Sequence, residues 1–218
     1  MTEAQWLCAT DPQVLFRALP SPSVRKRELF ACGCCRHLWH RMTDPRTRRA
    51  LELAERFIDG AASREELLGA CGPAQAADNG YILIDKGRGY RVPDSVASVT
   101  AGCCLSIADH DPAVVARATW LVHSSDDIPG EWEHQSDLIR CVFGNPYRPG
   151  TCSPEWRTDT VLSLAGQMYE RREFGAMPIL ADALQDAGCD NEAILNHCRG
   201  PRVHVRGCWV VDLVLGKE

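Results

Sequence analysis

Three cysteines and two histidines lie within residues 32–40, and thiolates and imidazoles are the ligands that zinc prefers in proteins. On a helix at about 100° per residue, however, Cys34 and Cys35 fall on one apolar stripe, while His37 and His40 fall on the opposite side. A zinc ion with tetrahedral coordination cannot bind ligands from both sides of a straight helix. We therefore interpret the central thiols as buried core residues. Cys32, at the edge of the stripe, is still placed to meet ligands from another segment.

A second group of ligand-type side chains lies near the C-terminus, partly in a predicted loop. A loop can wrap a metal ion in a way that one helix cannot. The spacings do not match the paired patterns of common structural zinc sites, and three nearby arginines would add positive charge. The sequence nevertheless gives a candidate zinc site here, with a residue of the first segment completing the ligand set. Its candidate ligands are Cys189, His197, Cys198, His204, Cys208 and Cys32.

A third cluster combines carboxylates with imidazoles, which can hold a hard cation or perform acid–base catalysis. Its members are His123, Asp126, Asp127, Glu131, Glu133, His134 and Asp137. The simplest interpretation of such a polar segment is solvation. No Gly-x-Ser-x-Gly elbow is present, and no cysteine lies in a recognisable catalytic context. The sequence therefore favours a protein that is not an enzyme.

The elements that must position these residues are mostly helices. Asp44-Pro45 is a cap followed by proline and predicts a helix over residues 46–58, and Ser63 with Glu66 forms a capping box that opens another. Gly72-Pro73 predicts the end of that second helix.

Longer helices are expected over residues 24–42 and 154–174. Residues 81–92 predict a small β-hairpin, and the apolar tail at 207–215 is expected to dock into the core. We therefore expect a mainly α, compact multi-helix domain with at most one hairpin. A single domain spans 1–218, with a candidate internal linker near 124–130.

Six segments stand out as motifs: residues 1–7, 30–39, 54–60, 143–149, 177–184 and 204–218. Together they resemble an uncharacterised family of short proteins that occurs as many paralogues in planctomycete-type bacteria. The resemblance covers most of the chain and is weakest over residues 72–130. It implies no activity, cofactor or catalytic residue.

Charge is unevenly distributed along the chain. Residues 21–50 hold eight basic against two acidic residues, a local net charge of +6 in a chain whose net charge is −5. This excess predicts an acidic protein surface as the partner, with Arg46, Arg48 and Arg49 as candidate contacts. The overall acidity argues against nucleic acid. No apolar run approaches the ~20 residues of a membrane span, so no membrane association is expected.

The N-terminal residues lack the basic start and apolar stretch of a secretory signal, so we expect a cytoplasmic location and twelve free thiols. The sequence predicts a helical binding module that recognises another protein, with no cofactor. The alternative is a zinc-stabilised helical domain, and the third is a metal-dependent enzyme using the cluster at residues 123–137.

Overall fold

The computed structural model describes residues 1–77, 81–85, 88–92, 95–116, 118 and 130–217, with side chains described outside residues 81–98. Within these residues the fold is mainly α, as predicted, with eleven α-helices. They are α1 (Glu3–Cys8), α2 (Pro12–Arg17), α3 (Val24–His37), α4 (Pro45–Ile58), α5 (Arg64–Ala76), α6 (Ser95–Ala108), α7 (Glu131–Phe143), α8 (Asp159–Arg171), α9 (Met177–Asp186), α10 (Glu192–Arg199) and α11 (Trp209–Leu215). Short 3₁₀ turns cover Trp39–Arg41, Pro154–Trp156 and Phe174–Ala176.

The helix starts follow the capping chemistry of the sequence. Asp44 accepts a hydrogen bond from the backbone N–H of Arg46, with Pro45 in the first turn of α4. Ser63 and Glu66 satisfy each other's backbone donors at the start of α5. Both predicted starts are confirmed.

Three predicted helix boundaries are wrong. The helix expected over 24–42 ends at His37 and gives way to a 3₁₀ turn, and the one expected over 154–174 is a 3₁₀ turn followed by α8, which Thr158 caps. Helix α5 continues through Pro73. A proline ring crowds the carbonyl four residues earlier, here that of Gly69. Nothing lies within 4 Å of where a Cβ of Gly69 would stand, so this turn is not crowded by other parts of the chain.

The described chain divides into two compact units. The first comprises Met1–Lys26 and Trp132–Glu218, and the second comprises Arg27–Glu131. The single domain over 1–218 stays a prediction. The candidate linker near 124–130 lies, apart from Gly130, outside the described residues.

The first unit has a hydrophobic core built by α8, α9, α10 and α11. Tyr169 and Leu180 belong to it, and Val210, Val211 and Val214 of the tail are buried in the same cluster. The predicted docking of the C-terminal tail is thus confirmed. Because α11 is held by this apolar contact, the residue that precedes it has a fixed position.

In the second unit α4, α5 and α6 pack against one another. The thiols of Cys34, Cys35, Cys103 and Cys104 are fully or almost fully buried, as the helical spacing of Cys34 and Cys35 predicts. Strands β1 (Tyr81–Asp85) and β2 (Arg88–Val92) form an antiparallel hairpin at the predicted place.

All twelve cysteines are free. Of the helices within the described residues, none has the length and apolar character needed to cross a bilayer.

Candidate metal centre

Two cysteines and two histidines converge in the first unit. One ligand atom from each of Cys141, His197, His204 and Cys208 lies within 4.8 Å of all the others. Cys141 occupies the last turn of α7, His197 lies in α10, His204 lies in the loop after α10, and Cys208 directly precedes α11. Both cysteines are buried and both histidines are half-buried. Two helices and the segment between α10 and α11 therefore deliver four ligand-type atoms to the same point.

The distances within this Cys₂His₂ cluster suit one small cation. His197 Nε2 lies 3.2 Å from Cys208 Sγ, and His204 Nδ1 lies 3.8 Å from Cys208 Sγ and 3.9 Å from Cys141 Sγ. Around a tetrahedral zinc, with Zn–N near 2.0 Å and Zn–S near 2.3 Å, ligand atoms are about 3.3 to 3.8 Å apart. These three distances are therefore close to those of a zinc coordination shell, and all four ligand-type atoms lie within 4.8 Å of one another.

A tight turn brings Cys208 to the cluster. The backbone N–H of Cys208 donates to the carbonyl of Val205 at 2.9 Å, and Gly207 between them has φ of +93°. Residues other than glycine are strained in this backbone conformation, so glycine is required here. The Cys208 carbonyl then accepts the first hydrogen bond of α11 from Asp212.

Below this turn lies a buried ionic network that fixes α11. Asp212 is almost fully buried, and its carboxylate lies 2.6 Å from Lys26 Nζ and 2.7 Å from Arg25 Nη1. Arg25 also donates to the Tyr169 hydroxyl, and Lys26 donates to the Gly207 carbonyl at 2.8 Å. Lys26 thus connects the buried carboxylate directly to the residue before Cys208.

The two thiols differ in their affinity for protons. Burial would raise the pKa of Cys208, but the hydrogen bond from Cys141 and the contacts with His197 and His204 lower it well below its ordinary value. The pKa of Cys141 is raised instead, first by its hydrogen bond to Cys208 and then by burial. The thiol of Cys208 is therefore the more acidic of the two.

The two imidazoles pack edge to face, with ring centroids 4.9 Å apart, and the ring of His197 also lies 5.3 Å from that of Trp209. His204 makes its polar contacts through Nδ1. Its Nε2 is buried and has no hydrogen-bond partner among the described residues. Packing thus restricts both rings to orientations that face the sulfurs.

The structure brings together three of the six candidate ligands, His197, His204 and Cys208. Cys189 and Cys198 belong to the hydrophobic core of the first unit and are not members of the cluster. Cys32 is buried in the second unit, where desolvation and the charge of Glu55 raise the pKa of its thiol. Whether any of these residues binds a metal stays a prediction.

Sequence reasoning missed Cys141, which supplies the fourth ligand-type atom. It lies among buried apolar residues of α7, including Leu138 and Val142, and nothing in its local sequence separates it from a core cysteine. The contribution of Lys26 was also missed, because its contact with Gly207 spans 181 positions of sequence.

The predicted acid–base cluster is only partly within the described residues, because His123, Asp126 and Asp127 lie outside them. Glu131 lies 3.3 Å from His37 Nε2, and Asp137 lies 3.3 Å from Arg140 Nη1. Asp137 therefore forms an ion pair, whereas Glu131 contacts a histidine whose pKa is lowered by burial.

The three candidate partner-binding arginines differ in their contacts. The Arg46 guanidinium is bound by both oxygens of Asp44. The guanidinium of Arg48 lies over the ring of Trp39, 5.2 Å from its centroid, while Arg49 is exposed. Arg46 and Arg49 remain accessible on the surface of α4, whereas Arg48 is half-buried.

No protein-family model matches the chain, and no curated protein or solved structure matches it either. The family resemblance of the sequence motifs stays a prediction.

Proposed function

We propose that this protein is a zinc-binding helical domain in which the cation has a structural role. The observation that carries this proposal is the convergence of Cys141, His197, His204 and Cys208 within 4.8 Å. Two thiolates and two imidazoles in a tetrahedral arrangement are the donor set of zinc. Two thiolates also neutralise a divalent cation in a buried site.

A structural role follows from the number of ligands. Catalytic zinc sites use three protein ligands and keep a fourth position for water or substrate, whereas structural sites are closed by four. Here four side chains each offer one ligand-type atom, enough to fill all four positions. The ion would join α7, α10 and the turn before α11, and so stabilise the packing of these three segments.

The proposal is tested by metal analysis of protein refolded with zinc and then freed of excess metal. We expect about one zinc per chain in the wild type and in the control variant Cys189→Ser, and a strongly reduced content in Cys141→Ser and Cys208→Ser. Replacement of zinc by Co²⁺ should give the intense visible absorption of a tetrahedral site with thiolate ligands. Negligible zinc in the wild type, or full occupancy in Cys141→Ser, would overturn the proposal.

We also propose that the exposed arginines of α4 bind an acidic protein surface, with a cytoplasmic location as the setting. The support is the exposure of Arg46 and Arg49 within the basic segment 21–50. A pull-down with the variant Arg46→Ser/Arg48→Ser/Arg49→Ser should lose partners that the wild type and the control Arg171→Ser retain. Unchanged partners in the triple variant would contradict this second proposal.

A further inference from the structure

A cavity of about 390 Å³ lies in the first unit, beside the candidate metal centre. One wall is formed by residues of α10 and the loop that follows it, including His197, Asn196 and Arg202. The volume lies toward the small end of the range found for small-molecule sites, about 300–1,000 Å³. The cavity therefore suits a small molecule.

The charge of this cavity is one-sided. Three arginines line it, and within the described residues no aspartate or glutamate does. Two side-chain amides and two indoles complete most of its polar and aromatic lining. The residues concerned are Arg140, Arg148, Arg202, Asn145, Asn196, Trp6 and Trp209.

Arg140 is fixed and buried. Its guanidinium donates to the backbone carbonyls of Trp6, at 2.8 Å, and Ala9, and it lies 3.3 Å from Asp137. Burial and the neighbouring charge of Arg202 lower the pKa of Arg140. Two guanidinium groups are thus held close enough to repel each other, with one carboxylate near both.

Arg202 and Arg148 retain donors for a ligand. Arg202 Nε lies 3.9 Å from Asp137, beyond hydrogen-bond distance, and its side chain is 43% exposed. Arg148 binds Glu3 through Nε at 2.6 Å and is 71% exposed. A guanidinium has five N–H donors in a planar fork that matches the oxygens of a phosphate or a carboxylate.

We propose that this cavity binds a small molecule carrying an oxyanion, either a phosphate monoester or a carboxylate. The anion would lie between Arg202 and Arg148, with the fixed charge of Arg140 behind it. The amide of Asn196 would supply a neutral donor, whereas that of Asn145 already donates to Glu3 at 2.9 Å, and the Trp209 indole would supply an apolar wall.

The test is a calorimetric titration of the zinc-refolded protein at constant ionic strength with phenyl phosphate, benzoate and, as the neutral control, phenol. We expect saturable 1:1 binding of at least one anion and none of phenol. Binding of phenyl phosphate alone identifies a phosphate ligand, and binding of benzoate alone identifies a carboxylate ligand.

Matched variants separate the site from the general charge of the protein. Arg202→Gln should weaken binding by about tenfold, the effect of one lost charge-assisted hydrogen bond, and Arg148→Gln/Arg202→Gln should weaken it further. Arg199→Gln removes an exposed arginine that pairs with Asp182 and does not line the cavity, so it should bind like the wild type. Thermal unfolding verifies that each variant is folded.

Absence of saturable binding of both anions to the wild type would overturn the inference. So would an equal loss in Arg199→Gln and Arg202→Gln. The anion titration and the zinc analysis can fail independently, because neither Arg148 nor Arg202 is a proposed zinc ligand.

Discussion

His197 Nε2 lies 3.2 Å from Cys208 Sγ, although eleven positions of sequence separate the two residues. This contact joins α10 to the start of α11 through two ligand-type atoms. A metal ion entering the site would find this pair already in place, so little conformational entropy would be lost on binding.

Removal of the metal should destabilise the protein. A ligand that binds only the folded state adds about 4 kcal/mol when its free concentration is 1,000 times its dissociation constant. We therefore expect the unfolding midpoint of the wild type to rise when zinc is added to metal-free protein. Thermal unfolding followed by circular dichroism measures this shift.

The control for that experiment is Cys141→Ser, which retains the other three ligand-type residues. Its unfolding midpoint should respond much less to zinc. An equal response in wild type and variant would show that zinc acts elsewhere on the protein.

Lys26→Met should weaken zinc binding even though Lys26 is not a ligand. Its ammonium donates to the Gly207 carbonyl and so fixes the turn that presents Cys208. Loss of such a supporting contact costs about 10- to 100-fold in metal affinity. Competition with a chromophoric chelator measures the change.

Arg25→Met is the matched control for Lys26→Met. It removes the other cation from Asp212 without touching the Gly207 carbonyl. Both variants should be less stable by about 1–3 kcal/mol, since each removes charged hydrogen bonding to a buried carboxylate. Only Lys26→Met should lose affinity for zinc; equal losses would assign the effect to Asp212.

The sequence predicted local features better than the site. Asp44 and the Ser63–Glu66 pair mark helix starts because capping depends on neighbours within one turn. Cys141 and His204 are 63 positions apart, and their proximity depends on how whole helices pack. A buried cysteine also has the same periodicity in a helix whether it fills the core or binds a metal. Local patterns therefore indicated the three C-terminal residues of the cluster and not the fourth.

The pH dependence of Asp44 offers a test outside the metal centre. Hydrogen bonds from the Arg46 side chain and backbone lower the pKa of Asp44 from 3.8 to about 2. Because the folded state favours the ionised form, the contribution to stability is complete above pH 3.8 and is lost as the pH falls through 2. An NMR titration of the Asp44 carboxyl group should therefore give a midpoint near the lower value.

Replacement of Arg46 by Gln removes the charged donor and keeps the backbone cap. The titration midpoint of Asp44 should then move upward toward 3.8. A midpoint that stays where it was would assign the low pKa to the helix start alone.

Thiol reactivity should divide the cysteines into two groups. Cys8 is exposed and Cys152 is partly exposed, whereas the other ten are buried. In the native protein a thiol reagent should therefore react rapidly at Cys8 and then at Cys152. All twelve should react after unfolding in the presence of a chelator. Cys8→Ser should remove the rapid phase; its persistence would show that a buried thiol is accessible.

Zinc and the oxyanion should bind cooperatively. His197 lines the arginine cavity and is also a proposed zinc ligand, and Arg202 lies between His197 and His204 in the chain. Fixing this loop with zinc should place Arg202 for the anion. Phenyl phosphate should therefore bind more tightly to zinc-loaded than to metal-free protein, and the anion should tighten zinc binding by the same factor. If zinc changed the affinity for the anion by one factor and the anion changed the affinity for zinc by another, the two titrations would report different protein states.

The position of Cys141 has a consequence for the unfolded chain. A metal held by Cys141 and His204 closes a loop across 63 positions of sequence. A covalent cross-link of similar span lowers the entropy of the unfolded ensemble enough to stabilise a protein by about 4 kcal/mol. Disulfides provide this effect in oxidising compartments and are lost where thiols are kept reduced. A zinc ion bound by reduced cysteines and by histidines would provide the same topological constraint under reducing conditions. The supply of metal, and not the redox potential, would then control this constraint.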